Sequence, residues 1–66
     1  MRVTVNGSVR ELADGTSVPS LIEGLGLHVG SVVVEHNGTA LLRSEVGRAV
    51  LADGDVLELV RAVAGG

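Results

Sequence analysis

The 66-residue sequence has no cysteine, which excludes disulfides, thiolate nucleophiles, Cys-type zinc sites and iron–sulfur ligation together. It has no Phe, Trp or Tyr either, so the aromatic platforms on which single-stranded nucleic acid stacks are missing. A net charge of -3 at pH 7 opposes binding to a phosphate backbone. Nucleic acid is therefore not an expected partner. Lysine is absent as well, all five basic residues being arginines (Arg2, Arg10, Arg43, Arg48 and Arg61), and the chain cannot serve as its own isopeptide acceptor. No apolar run approaches the roughly 20 residues needed to span a bilayer, and no basic-then-apolar start resembles a signal peptide. No membrane partner is expected, and a cytoplasmic location is the default expectation.

What remains is a small chain whose core must be built almost entirely from Val, Leu and Ile, near the lower size limit for a domain without staples. Arg2-Val3-Thr4-Val5 alternates polar and apolar residues, and Asn6-Gly7 is a hairpin signal leading to a second strand over about Ser8 to Leu12. After Asp14-Gly15, Ser17 is a good N-cap and Pro19 is tolerated in a first helical turn. Val18, Leu21, Ile22 and Leu25 fall on one helical face, and Gly26 suits the residue that closes the helix. Val32-Val33-Val34 predicts a central strand buried on much of both faces. Asn37-Gly38 predicts a second hairpin with a strand over Thr39 to Leu42, and Arg43 to Arg48 a turn or one turn of helix. Asp53-Gly54-Asp55 introduces a last strand from Val56 to about Val63, with Leu57 and Leu59 inward and Glu58, Val60 and Ala62 outward. Strands arranged around one helix predict an α+β domain with a mixed sheet of about five strands, one main helix on one face, and the first and last strands parallel neighbours: a β-grasp. The tetrapeptide Leu-Ala-Asp-Gly occurs at Leu12 to Gly15 and at Leu51 to Gly54, which we read as two turns converging on the same residues.

The end of the chain is its most informative part. Gly65-Gly66 after a regular strand has no packing use, yet backbone without Cβ atoms can enter a channel too narrow for other residues. Residues 1–63 are expected to form the domain and 64–66 a flexible reactive tail, with the Gly66 carboxylate as the unhindered reactive carbon. Val60, Ala62 and Glu58, together with Val63, Ala64 and Gly65, are the candidate partner-docking residues.

Taken in order, Val5-Asn6-Gly7, Gly15 before a helix holding Leu21-Ile22-Glu23 and Leu25, Asn37-Gly38, Arg43-Ser44-Glu45, Asp53-Gly54-Asp55 and Gly65-Gly66 resemble, end to end, the ThiS family of ubiquitin-like sulfur carriers used in thiamine biosynthesis. The resemblance implies that a ThiF-like enzyme uses ATP to adenylate the carboxylate of Gly66. A persulfide sulfur, supplied for example by a cysteine desulfurase, then displaces AMP. The resulting thiocarboxylate donates its sulfur to an intermediate on a ThiG-like thiazole synthase. On this expectation the chain is a cosubstrate with no bound cofactor, not an enzyme. A carrier for another acceptor (molybdopterin, cysteine or a secondary metabolite), a ubiquitin-like protein modifier, and an interaction module without terminal chemistry stay open as alternatives.

Other polar residues invite blander readings. His28 and His36 are expected in exposed loop or strand-edge positions, since a metal site needs further ligands around them. Asp53, Asp55 and Glu58 form either an acidic patch that steers the domain towards a basic surface or a solvated turn. Ser17, Ser20 and Ser44 read as caps and turn residues.

Overall fold

A computed structural model describes residues 1–62. Its elements are β1 (Arg2–Val5), β2 (Ser8–Glu11), α1 (Val18–Gly24), a 3-10 turn (Val29–Ser31), β3 (Val32–His36), β4 (Thr39–Ala40), α2 (Arg43–Val46) and β5 (Val56–Arg61). The strands form one mixed sheet in the order β2-β1-β5-β3-β4. β1 and β5 are parallel neighbours, and the other pairs are antiparallel. This is the β-grasp arrangement expected from the sequence.

Both Asn-Gly turns form as their residues demand. Asn6 and Gly7 have φ of 49° and 82°, Asn37 and Gly38 of 51° and 86°, and positive φ at both central residues is what a two-residue hairpin turn of the right twist requires. Helix α1 starts where the Ser17 hydroxyl accepts a bond from Ser20 N–H at 3.1 Å. It ends in a Schellman motif, Gly26 N–H donating to Glu23 O and Leu27 N–H to Ile22 O. Between them it buries Val18, Leu21 and Ile22 against Val3, Val5, Val34, Leu57 and Leu59 of the sheet, with Val46 and Leu51 closing the same core. In α2 the Glu45 carboxylate reaches back to Leu42 N–H at 2.7 Å, capping this single turn at its start.

Three expectations need correction. The Val32 to Val34 run is not buried on both faces: Val34 is fully buried, but Val33 is 53% exposed, because helix covers only one side of the sheet. The centre of the sheet is β5 and not β3. Strand β4 is only Thr39–Ala40, since the chain turns into α2 at Arg43, although Leu41 N–H still bonds Val34 O. The two Leu-Ala-Asp-Gly segments make the same turn, with Gly15 and Gly54 at φ of 83° and 87° and bonds from Thr16 N–H to Ala13 O and Asp55 N–H to Ala52 O. Beyond that they diverge, the Thr16 hydroxyl donating to Ala13 O while the Asp55 carboxylate accepts from Ala52 N–H.

Candidate functional site

The root of the tail is the end of β5, and β5 is gripped from both sides. On the β1 side, Thr4 N–H donates to Asp55 O and Asn6 N–H to Leu57 O, each at 2.9 Å. There β1 turns away, yet the ladder continues by one rung through a side chain. The Asn6 amide accepts from Leu59 N–H at 2.7 Å and donates to Leu59 O at 3.2 Å. On the β3 side, Ala62 N–H donates to Ser31 O at 2.7 Å, fixing the last described residue to the 3-10 turn. Asn37 does the corresponding work at the other end of β5, where it exchanges bonds with Val56 through its N–H and its side-chain oxygen, both at 2.8 Å. The expectations for Val63, Ala64, Gly65 and Gly66 lie outside the described residues.

The face of the sheet away from α1 is open. Period-two alternation puts Val60 and Glu58 of β5 outward, as expected, with Val60 61% exposed and Ala62 exposed beyond it. The register sets Val33 directly opposite Val60 and Glu35 directly opposite Glu58. An exposed valine pair therefore lies next to a pair of carboxylates, and Val56 adds a further exposed apolar side chain. Like charges directly opposite across strands are destabilising, and among the described residues neither glutamate is in an ion pair. Val33 and Glu35 were missed in the sequence because the valine run suggested burial on both faces.

Asp55 does not belong to an acidic surface patch. It is 9% exposed, on the core side of the sheet. Its carboxylate accepts from His36 Nε2 at 2.8 Å, Ala52 N–H at 2.9 Å and Asn37 Nδ2 at 3.0 Å. Asp53 is turned to accept from Arg2 N–H at 2.7 Å, and Glu58 is on the outer face. His36 is correspondingly half-buried and tied to a carboxylate, whereas His28 is exposed as expected. Burial pushes the Asp55 carboxyl up, but the bonds from His36, Ala52 and Asn37, with the charge of His36, outweigh it and hold the group below its ordinary value. A carboxyl lowered on folding stabilises the fold above its unfolded value of about 3.9, and that contribution is lost as pH falls through the lower folded value. Thermal melts between pH 6 and pH 2 should therefore show stability being lost below about pH 4. Asp55→Asn should melt lower at pH 6 and show a shallower acid slope. An unchanged slope would remove Asp55 from the account of acid stability.

Among the described residues, no three His, Asp or Glu side chains converge as metal ligands, and no helix is long and apolar enough to cross a membrane. Ser17 is a cap, and Ser20 and Ser44 sit exposed within α1 and α2. The distinctive features are an anchored strand leading to a Gly-Gly end, and an apolar strip beside it.

Residues 3–66, nearly the whole sequence, match the ThiS family. The chain belongs to the ThiS family. The sulfur carrier protein ThiS of Thermus thermophilus is 38% identical over 64 residues, which is 97% of this chain and 98% of that one. The crystal structure of the thiamine biosynthesis protein ThiS from Geobacter metallireducens superposes with a TM-score of 0.82 at 32% identity, over the full length of both chains. Thiazole synthases of Magnetococcus marinus and Paramagnetospirillum magneticum are 33% and 32% identical over all 66 residues. The chain spans 20% of the length of each of these two proteins. The family fold accounts for the parallel β1–β5 pair.

Proposed function

We propose that this ThiS-family chain carries sulfur for thiazole formation in thiamine biosynthesis, with Gly66 as the residue that holds it. The observation that carries the proposal is the match along almost its entire length to a ThiS sulfur carrier, with a Gly-Gly end following a strand anchored on both sides. A carboxylate is a poor electrophile, so it must first be activated. A ThiF-like enzyme binds ATP and joins the Gly66 carboxylate to AMP, releasing pyrophosphate. The sulfur of a persulfide, delivered by a donor such as a cysteine desulfurase, attacks the acyl carbon and expels AMP. A second thiol then cleaves the sulfur–sulfur bond, leaving the thiocarboxylate on Gly66 and a disulfide on the donor side. The thiocarboxylate is ionised at neutral pH and nucleophilic. It attacks the intermediate on a ThiG-like thiazole synthase, forming a carbon–sulfur bond. An oxygen from that intermediate or from water replaces sulfur on the Gly66 acyl carbon as the acyl–sulfur bond breaks, so the carrier leaves with its carboxylate restored. Two thiazole synthases containing a stretch aligned with the whole of this chain support that acceptor. In this scheme the chain is a cosubstrate, and the nucleotide belongs to its partner.

The outward strip of Val60, Val33 and Ala62, with Glu58 beside it, is the proposed docking surface, and residues 63–66 enter the partner's channel. Single exposed hydrophobes are common and mean little by themselves, but here two are paired across neighbouring strands at the root of the reactive segment. Ordering a segment in a channel costs about 1–2 kcal/mol per residue in backbone entropy, which a folded patch must offset. Glu58 gives the surface a negative charge that speeds approach to a basic partner, most at low salt. Val60→Asp should leave the melting temperature nearly unchanged and weaken docking to the ThiF-like enzyme by about tenfold or more, read as KM for the carrier. Unfolding of that variant would make Val60 a core residue, and a normal KM would place docking elsewhere.

A further inference from the structure

The main-chain groups of an antiparallel strand alternate between its two neighbours. In β5, the bonds of Asn37 N–H to Val56 O and of Ala62 N–H to Ser31 O mark positions 56 and 62 as facing β3. Positions 58 and 60 face it too, so the N–H and C=O of residues 57, 59 and 61 point to the β1 side. Leu57 O is taken by Asn6 N–H, and both main-chain groups of Leu59 by the Asn6 side chain. The next rung is Arg61. By then β1 has turned away, its register with β5 ending at Val5 opposite Leu57. Among the described residues, the side of β5 that β1 covers lower down is therefore an open edge at Arg61.

We propose that an extended segment of the adenylating enzyme pairs with this open rung, continuing the line of β1 past Asn6 and forming main-chain hydrogen bonds with Arg61. The proposal rests on the carrier function above. Its chemical reason lies in the tail itself: Ala64-Gly65-Gly66 offers no side chain larger than a methyl group, so register along the channel has to be set through the main chain. Strand addition does this, because each added hydrogen bond fixes the position of every residue that follows. Among the described residues, Arg61 is the first position on that side whose main-chain groups have no partner. It adjoins Val60 and Ala62 of the docking strip, so one partner surface can cover the strip and pair with the edge together.

Proline at position 61 tests the rung selectively. It removes the N–H that faces the open edge, and proline is tolerated at the edge of a sheet where no ladder bond is lost. Arg61→Pro should keep the wild-type melting temperature within a few degrees while raising the KM for the carrier in adenylation by the ThiF-like enzyme about tenfold, with kcat little changed. Arg61→Ala, which keeps the N–H, should stay near the wild-type KM. Ala62→Pro removes the bond to Ser31 O and should instead lower the melting temperature. Wild-type KM for Arg61→Pro would overturn the proposal, and so would its unfolding, which would mean that the edge is already closed. Normal adenylation of Arg61→Pro with impaired sulfur transfer to the ThiG-like synthase would assign the rung to the wrong enzyme. If the wild-type chain takes no AMP at all, the carrier function fails first and the strand pairing falls with it.

Discussion

A chain lacking Gly66 is expected to melt like the wild type and to accept neither AMP nor sulfur. Among the described residues the core closes with Leu59, and the last anchoring bond is made by Ala62, so the melt is expected to be set upstream of Gly66. On the proposed function, the chemistry depends on it entirely. Removing one residue from an extended segment withdraws the carboxylate by about 3.3–3.6 Å. A misplacement of only about 1 Å can cost on the order of a hundredfold in rate, so activation of the shortened chain should fall below detection. Circular dichroism melts and an AMP-transfer assay on the same preparation separate the two effects. Normal sulfur transfer by the truncated chain would rule out Gly66 as the carrier residue.

Leu57→Ala should have the largest effect on stability. Leu57 is fully buried in the central strand, between β1 and β3 and under the helical layer. Truncating such a leucine costs about 2–5 kcal/mol, through lost burial and the cavity left behind. A core of this size supplies roughly 3–5 kcal/mol in total, with no cysteine to form a disulfide and, among the described residues, no cluster of metal ligands to reinforce it. Most of the stability should go, leaving a variant largely unfolded at 37 °C. Leu59→Ala should follow the same course somewhat less steeply, Leu59 being 8% exposed. A melting curve unchanged by Leu57→Ala would mean that the β5 register is wrong.

Much of this architecture was legible because turn chemistry and periodicity agreed. Asn6-Gly7 and Asn37-Gly38 located both hairpins, Ser17 the start of the helix, and the alternation in Val56 to Arg61 gave the correct inward set. The exposure of Val33 was not legible, since three valines in a row look the same whether one face or both are covered. Nor was the burial of Asp55: beside Asp53 and Gly54 it reads as a solvated turn, and only the fold brings His36 and Asn37 to it. The roles of Asn6 and Asn37 were half legible. Positive φ explains a residue that tolerates it, but the Asn6 amide also both accepts from and donates to the Leu59 backbone, and the Asn37 amide accepts from Val56 N–H while donating to the Asp55 carboxylate, a donor and acceptor together that neither Gly nor Asp could supply. The exposed apolar strip was legible on β5 alone, because its β3 half depends on a register that sequence periodicity does not set.

Intact-mass analysis tests the central claim most directly. The purified chain is incubated with a ThiF-like adenylating enzyme, ATP and a persulfide donor, then weighed and fragmented. The expected product has one oxygen replaced by sulfur, located at Gly66, and does not form when ATP is omitted. An unchanged mass under conditions in which the same enzyme converts the Thermus thermophilus carrier, or a covalent adduct to lysines of other proteins in place of the thiocarboxylate, would contradict it.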